Sequence, residues 1–239
     1  MTANRKKVLL GIGLVLILSI TGVSVIVFKT FGRTVVRIDI HQNQEIILLS
    51  TFAEPPQFAI WLEDPSNHER HTVFVTRRAG TGDWEGKAEV PVALPRWVEL
   101  FPDYVAGQAG AAGDESQLTI TGATPQEDYF SIYAEVKPES RWICWIEMNL
   151  AGDFNEAFPE YDVESREIDG YSCGQPALLY RSEIIAEEGL EFDASLAGQS
   201  VWEDGLTRVE PVGDGVTSAR EVFDEIRFVV MRPKPKLIE

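Results

Sequence analysis

Catalytic chemistry has little to work with in this chain of 239 residues, which holds only three histidines (His41, His68, His71) and two cysteines (Cys144, Cys173). The segment NHERH sets His68 and His71 three apart, which is not the H-E-x-x-H of a zinc-protease helix, and reads instead as a turn with exposed histidines. No G-x-S-x-G elbow and no placed Cys-His pair is present, so no catalytic residue is assigned. AGTGDWEGK, residues 79–87, ends in Gly86-Lys87 as a phosphate loop would. Thr81 stands where that motif needs glycine, however, and Ala88 where it needs Ser or Thr, which leaves a glycine-rich hairpin presenting Trp84. Positive charge is scarce too: 21 Lys and Arg face 38 Asp and Glu, a formal net charge of −17. Such a field repels a polyanionic backbone, so nucleic acid is excluded as a partner.

Long apolar runs are absent with one exception. Val8 to Phe28, VLLGIGLVLILSITGVSVIVF, carries no charge, and its 21 residues match the hydrocarbon core of a bilayer at about 1.5 Å of rise each. Arg5, Lys6 and Lys7 precede it and place residues 1–7 in the cytoplasm by the positive-inside tendency. The run is longer than a signal-peptide core and no A-x-A site follows, so an uncleaved single-pass signal anchor in a bacterial inner membrane is expected, with the remainder extracytoplasmic (periplasmic). An oxidising compartment permits a Cys144–Cys173 disulfide, worth roughly 3 kcal/mol by loop-closure arithmetic. The alternative is that Cys144, within the apolar RWICWIEM, is a buried small hydrophobe, and sequence leaves both open.

Beyond the anchor, short segments rich in Val, Ile, Phe, Tyr and Trp recur between Pro, Gly, Asp and Asn clusters, which predicts an all-β region, a β-sandwich over residues 34–232. Strands are expected at 34–40, 45–50, 57–63, 71–77, 118–121, 129–136, 142–149, 177–183 and 225–232, with a basic tail at 233–239. GQAGAAGDES, residues 107–116, has linker composition and divides the region into halves of about 34–106 and 117–232. Phe58-Ala-Ile-Trp-Leu-Glu63 echoes Trp142-Ile-Cys-Trp-Ile-Glu147, so the halves are expected to be related, within one composite sandwich or as two lobes.

Two segments suggest ligands. In residues 149–170 the side chains of Asp153, Asn155, Glu156, Glu160 and Asp162 offer oxygen ligands for calcium, although the twelve-residue EF-hand pattern is missing. The turn Thr121-Gly122-Ala123-Thr124 resembles the S/T-G-A-T/S core on which exported flavoproteins are esterified with FMN. That resemblance nominates Thr124 as an FMN-bearing residue, although Leu118 stands where those acceptors carry Asp. PPQFAIWLEDP, TVFVTRRAGTGDWEG, LPRW, TGATP, and GDFNEAF followed by GQPALLYRSEI resemble a family of bacterial exported β-rich proteins without an established catalytic residue. Some of its members are encoded beside flavin or PepSY-type electron-transfer components. The resemblance implies a β-sandwich accessory or binding module that meets a protein partner in the membrane or periplasm. A covalent FMN carrier and a calcium- or carbohydrate-binding sandwich are the alternatives.

Overall fold

The structure, a computed structural model, describes residues 33–81, 93–102, 120–164, 166, 168–203 and 205–232. The expected anchor at 8–28, the cytoplasmic tail at 1–7, the segment 107–116, Trp84 and the tail at 233–239 lie outside the described residues.

Among the described residues the chain is mostly β, in two sheets. Strand β1 (Thr34–Gln42) alternates as its sequence dictates: Val36, Ile38 and Ile40 are buried, while Arg37 and Asp39 face outward and pair at 2.8 Å. Strands β5 (Tyr129–Val136) and β11 (Phe223–Met231) flank it antiparallel, and β8 (Glu191–Asp193) completes a four-stranded sheet of order β5-β1-β11-β8. The second sheet has seven strands in the order β10-β9-β7-β6-β2-β3-β4. They are β2 (Gln57–Glu63), β3 (Arg70–Thr76), β4 (Ile120–Gly122), β6 (Arg141–Asn149), β7 (Ala177–Ile185), β9 (Ser195–Glu203) and β10 (Leu206–Glu210). Its pairings are antiparallel except that β4 runs parallel to β3. Strands from both sides of residues 107–116 therefore interleave in each sheet.

Two cores hold the layers together. Between the sheets, Phe58 of β2 meets Phe74 at 5.1 Å and the rings of Phe130 and Phe223, from the opposite sheet, each at 5.5 Å. Behind the larger sheet a second cluster gathers Ala59, Trp61, Val75, Leu94, Trp97, Phe101 and Leu179. Strand β2 is consequently buried on both faces, which is why its centre, FAIWL, is continuously apolar rather than alternating. The cover on this outer face is a short helix, Pro95–Leu100.

The segment expected as a strand at 45–50 is instead a helix, α1 (Gln44–Leu49). Asn43 decides it: its side-chain oxygen accepts from the backbone N–H groups of Glu45 and Ile46, satisfying donors that a helix start leaves open. A second short helix, α2 (Arg77–Thr81), follows β3, and Pro95–Leu100 is α3. Strands β8, β9 and β10 were not expected from the sequence.

The repeated hexapeptide has a structural counterpart. β2 and β6 are antiparallel neighbours with Trp61 opposite Trp145, and Ile60 opposite Ile146 mirrors Leu62 opposite Cys144. A local two-fold axis thus passes between the two tryptophans, whose rings stack at 6.2 Å and 12°. The same axis exchanges β3 with β7 in strand order.

Candidate ligand-binding cleft

The ends of the sandwich differ. Val35 pairs with Met231, so the described chain begins and ends at one end. The other end collects the C-terminus of β1, the start of β2 at Gln57, opposite Asn149, and the end of β3 at Thr76, opposite Gly122. Nine residues of β1 separate the two ends, about 30 Å at roughly 3.3 Å per residue.

At this second end lies an open cleft of about 660 Å³, lined by Ala53, Glu54, Pro55, Gln57, Arg77, Arg78, Ala123, Thr124 and Gln126. Each wall has an identifiable cause. Thr76 donates through its hydroxyl to Gln57 Oε1 at 2.8 Å, tying the start of β2 to the end of β3. The chain then turns into α2, which sets Arg77 and Arg78 side by side on the rim. Arg78 reaches Glu54 across the cleft at 3.4 Å. The opposite wall is the TGATP turn. Its Gly122 is required by packing, since a Cβ there would sit 2.4 Å from the ring of Phe74. Beyond Thr124, the fully buried Gln42 donates from Nε2 to the carbonyls of Pro125 at 3.1 Å and Glu127 at 2.7 Å, and Gln44 donates to Gln126 O at 3.3 Å. The turn that carries Thr124 is thereby fixed against β1. Thr124 itself is half-buried in the cleft wall. Two guanidiniums, one carboxylate and otherwise uncharged groups line the site, in a chain of net charge −17. Arginine's planar fork suits carboxylate and phosphate oxygens.

The acidic loop is built differently. Asp153 is nearly buried, accepting from Gln175 Nε2 at 2.8 Å and from the Ser218 hydroxyl at 2.6 Å; burial raises its carboxyl above the ordinary range while these bonds oppose the rise. Asn155 Oδ1 accepts from the backbone of Ala157 and Phe158, and its Nδ2 donates to Gly215 O and Thr217 Oγ1, each at 2.9 Å. Asp162 accepts from Glu164 N at 2.8 Å, and Glu156 is exposed. These groups hold the loop's own shape and dock it on the 3₁₀ turn Ser218–Glu221. Among the described residues no three His, Cys, Asp or Glu side chains converge to hold a metal ion.

The Cys144–Cys173 disulfide is not formed. Cys144 sits in the inter-sheet core opposite Leu62. The Cys173 carbonyl lies 3.4 Å from Asn149 Nδ2, five residues further along β6, or roughly 16 Å at strand rise, whereas a disulfide needs Cα atoms within about 7 Å. Of the histidines expected in exposed turns only His68 is exposed. It joins Arg70 on the Glu63 carboxylate, while His71 lies edge-on to Trp142 at 5.1 Å and His41 pairs with Asp224.

A fully buried carboxylate, Glu147, carried no signal in the sequence beyond its place in an apolar strand. It accepts from Arg96 N at 3.0 Å, from Trp97 N at 2.7 Å and from the Ser200 hydroxyl. Leu94, at the cap position of α3, has no side-chain acceptor, so Glu147 caps the helix from another strand. Burial pushes its carboxyl up to about 7 against the pull of these three donors.

Compared with known protein families, with characterised proteins and with solved structures, the chain matches none of them.

Proposed function

We propose that this chain is a membrane-anchored, extracytoplasmic accessory protein, without a catalytic set of its own, that binds a small anionic ligand in the cleft of Arg77, Arg78 and Thr124. One observation carries the reading: Arg77 and Arg78 and the hydroxyl-bearing turn of Thr124, 47 and 46 residues away in sequence, line one open cleft of ligand size in a strongly acidic chain. The membrane placement rests on the apolar run at 8–28 behind Arg5, Lys6 and Lys7.

A second reading is favoured by the same cleft: FMN held covalently through Thr124, with Arg77 and Arg78 beside the phosphodiester. The donor set suits that group, since a threonine oxygen and two guanidiniums are what a flavin phosphoester would meet. Calcium at Asp153, Asn155, Glu156 and Asp162 has less support, because Asp153, Asn155 and Asp162 already spend side-chain oxygens on internal hydrogen bonds.

Intact-mass spectrometry with a visible spectrum, on full-length protein purified from its native host, separates the readings. An FMN-phosphoryl mass lost in Thr124→Ala makes the protein a flavin carrier. Unmodified protein whose titration with FMN or inorganic phosphate saturates, and weakens at least tenfold in Arg77→Ala/Arg78→Ala, supports the ligand-binding reading. Unmodified protein that binds neither anion overturns both.

A further inference from the structure

The loops beside the cleft carry exposed apolar side chains that the fold does not use. Leu49, at the end of α1, is 81% exposed, and Leu48 and Phe52 are exposed with it. The ring of Phe52 lies over Gly152, whose N–H donates to Ser172 O at 2.8 Å, next to the exposed Tyr171. From that point a hairpin projects. Its neck is closed by Asp169 N donating to Glu160 O at 2.9 Å, Tyr161 bridges Ile168, and its tip is a turn in which Arg166 N donates to Asp162 O at 2.9 Å. Val163 and Ile168 on this hairpin are 77% and 69% exposed. Isolated apolar residues on a surface need no explanation, but Tyr161, Val163 and Ile168 are three exposed apolar side chains on one hairpin, with Tyr161 bridged to Ile168, and such a group marks a contact surface.

We infer that this surface docks a partner protein whose contact face is apolar with a basic rim. Charge sets the partner's sign. Glu156, Glu160, Asp162, Glu164 and Asp169 lie in the same stretch as Val163 and Ile168, with Arg166 its one basic residue, so a cationic rim is attracted and a second copy of this chain is repelled. Position argues against the protein's own bilayer. The surface lies at the far end of β1 from Arg33, where the segment expected to span the membrane joins the fold. The inference is independent of what occupies the cleft.

The test uses full-length protein in detergent micelles and two fluorescent amphipathic helical peptides, one of Leu and Lys and one of Leu and Glu, followed by anisotropy. The Leu/Lys peptide is expected to bind, to weaken at least tenfold in Val163→Ser/Ile168→Ser and in Glu160→Lys/Glu164→Lys, and to keep its affinity in Leu206→Ser/Val209→Ser. All of these positions are exposed, so the variants should fold, which circular dichroism checks. Equal binding of the Leu/Glu peptide removes the charge argument. Equal loss in the 206/209 control, or no binding of the Leu/Lys peptide, removes the surface. A dimer in sedimentation that the 163/168 variant abolishes assigns the surface to a second copy, and phosphatidylcholine vesicles that outcompete the peptide assign it to lipid; either overturns the proposal.

Discussion

Glu147 makes the stability of this fold depend on pH in a direction that can be worked out beforehand. Its ordinary carboxyl value of 4.5 rises to about 7 in the folded chain, because burial penalises the charge more than Arg96 N, Trp97 N and Ser200 recover. A carboxyl whose folded value lies above its unfolded value holds its proton more tightly when folded, so stability falls as pH rises from about 4.5 to about 7 and is level above that. At about 1.4 kcal/mol per pH unit the loss is about 3 kcal/mol. For a domain of this size it corresponds to roughly 6–12 °C in melting temperature. Other carboxylates of an acidic chain add their own pH dependence, so the measurement is a difference: melts of the full chain and of Glu147→Gln at pH 5 and pH 8. Glutamine cannot titrate, and its amide leaves one backbone donor of α3 facing another donor, so the variant should melt below the parent at pH 5. That gap should close by about 2.5 kcal/mol at pH 8, since part of the loss has already occurred at pH 5. Curves that shift in parallel would show the carboxylate ionised throughout, with its three donors outweighing burial, and would refute the reasoning.

Two further outcomes are expected from the packing. Phe58→Ala empties the place where rings from both sheets meet and should cost about 3–5 kcal/mol in chemical denaturation; a loss under about 1 kcal/mol would show that the sheets do not depend on that contact. Iodoacetamide under native conditions should modify the half-buried Cys173 and spare Cys144, whose thiol is fully buried and raised well above the ordinary range, until denaturant is added. Equal labelling of both would contradict the core position of Cys144.

Periodicity made much of this architecture legible, and the exceptions have physical causes. β2 spans the residues expected, because a run of seven between Glu54-Pro55-Pro56 and a turn has no competing period. EIILLS is ambiguous for the opposite reason: six residues are too few to distinguish a helix from a strand, and the deciding contact is the Asn43 cap outside the run. β9 begins with exposed, mixed residues and owes its conformation to pairing with β7 and β10, contacts that no local window contains. The same holds for the cleft. Thr124 was singled out from its turn motif, but Arg77 and Arg78 look in the sequence like the end of a strand, and only the parallel pairing of β3 with β4 brings them to Thr124. Asp153 and Asn155 show the reverse limit. Their residue types fit a cation, yet folding turns those oxygens inward to fasten a loop.

The axis between Trp61 and Trp145 has a consequence for how the chain may be divided. A contact in which Ile60 meets Ile146 as Leu62 meets Cys144 has the isologous form of a symmetric dimer, built within one polypeptide. Cutting the chain between the halves and separating them would break the β1–β5, β1–β11 and β3–β4 pairings and, at the β2–β6 seam, bare two strand edges, each shaped to receive a strand like itself. Truncated fragments are therefore expected to pair with their own copies along β2 or β6, and an oligomer seen for an isolated half would report the severed seam rather than an association of the intact protein.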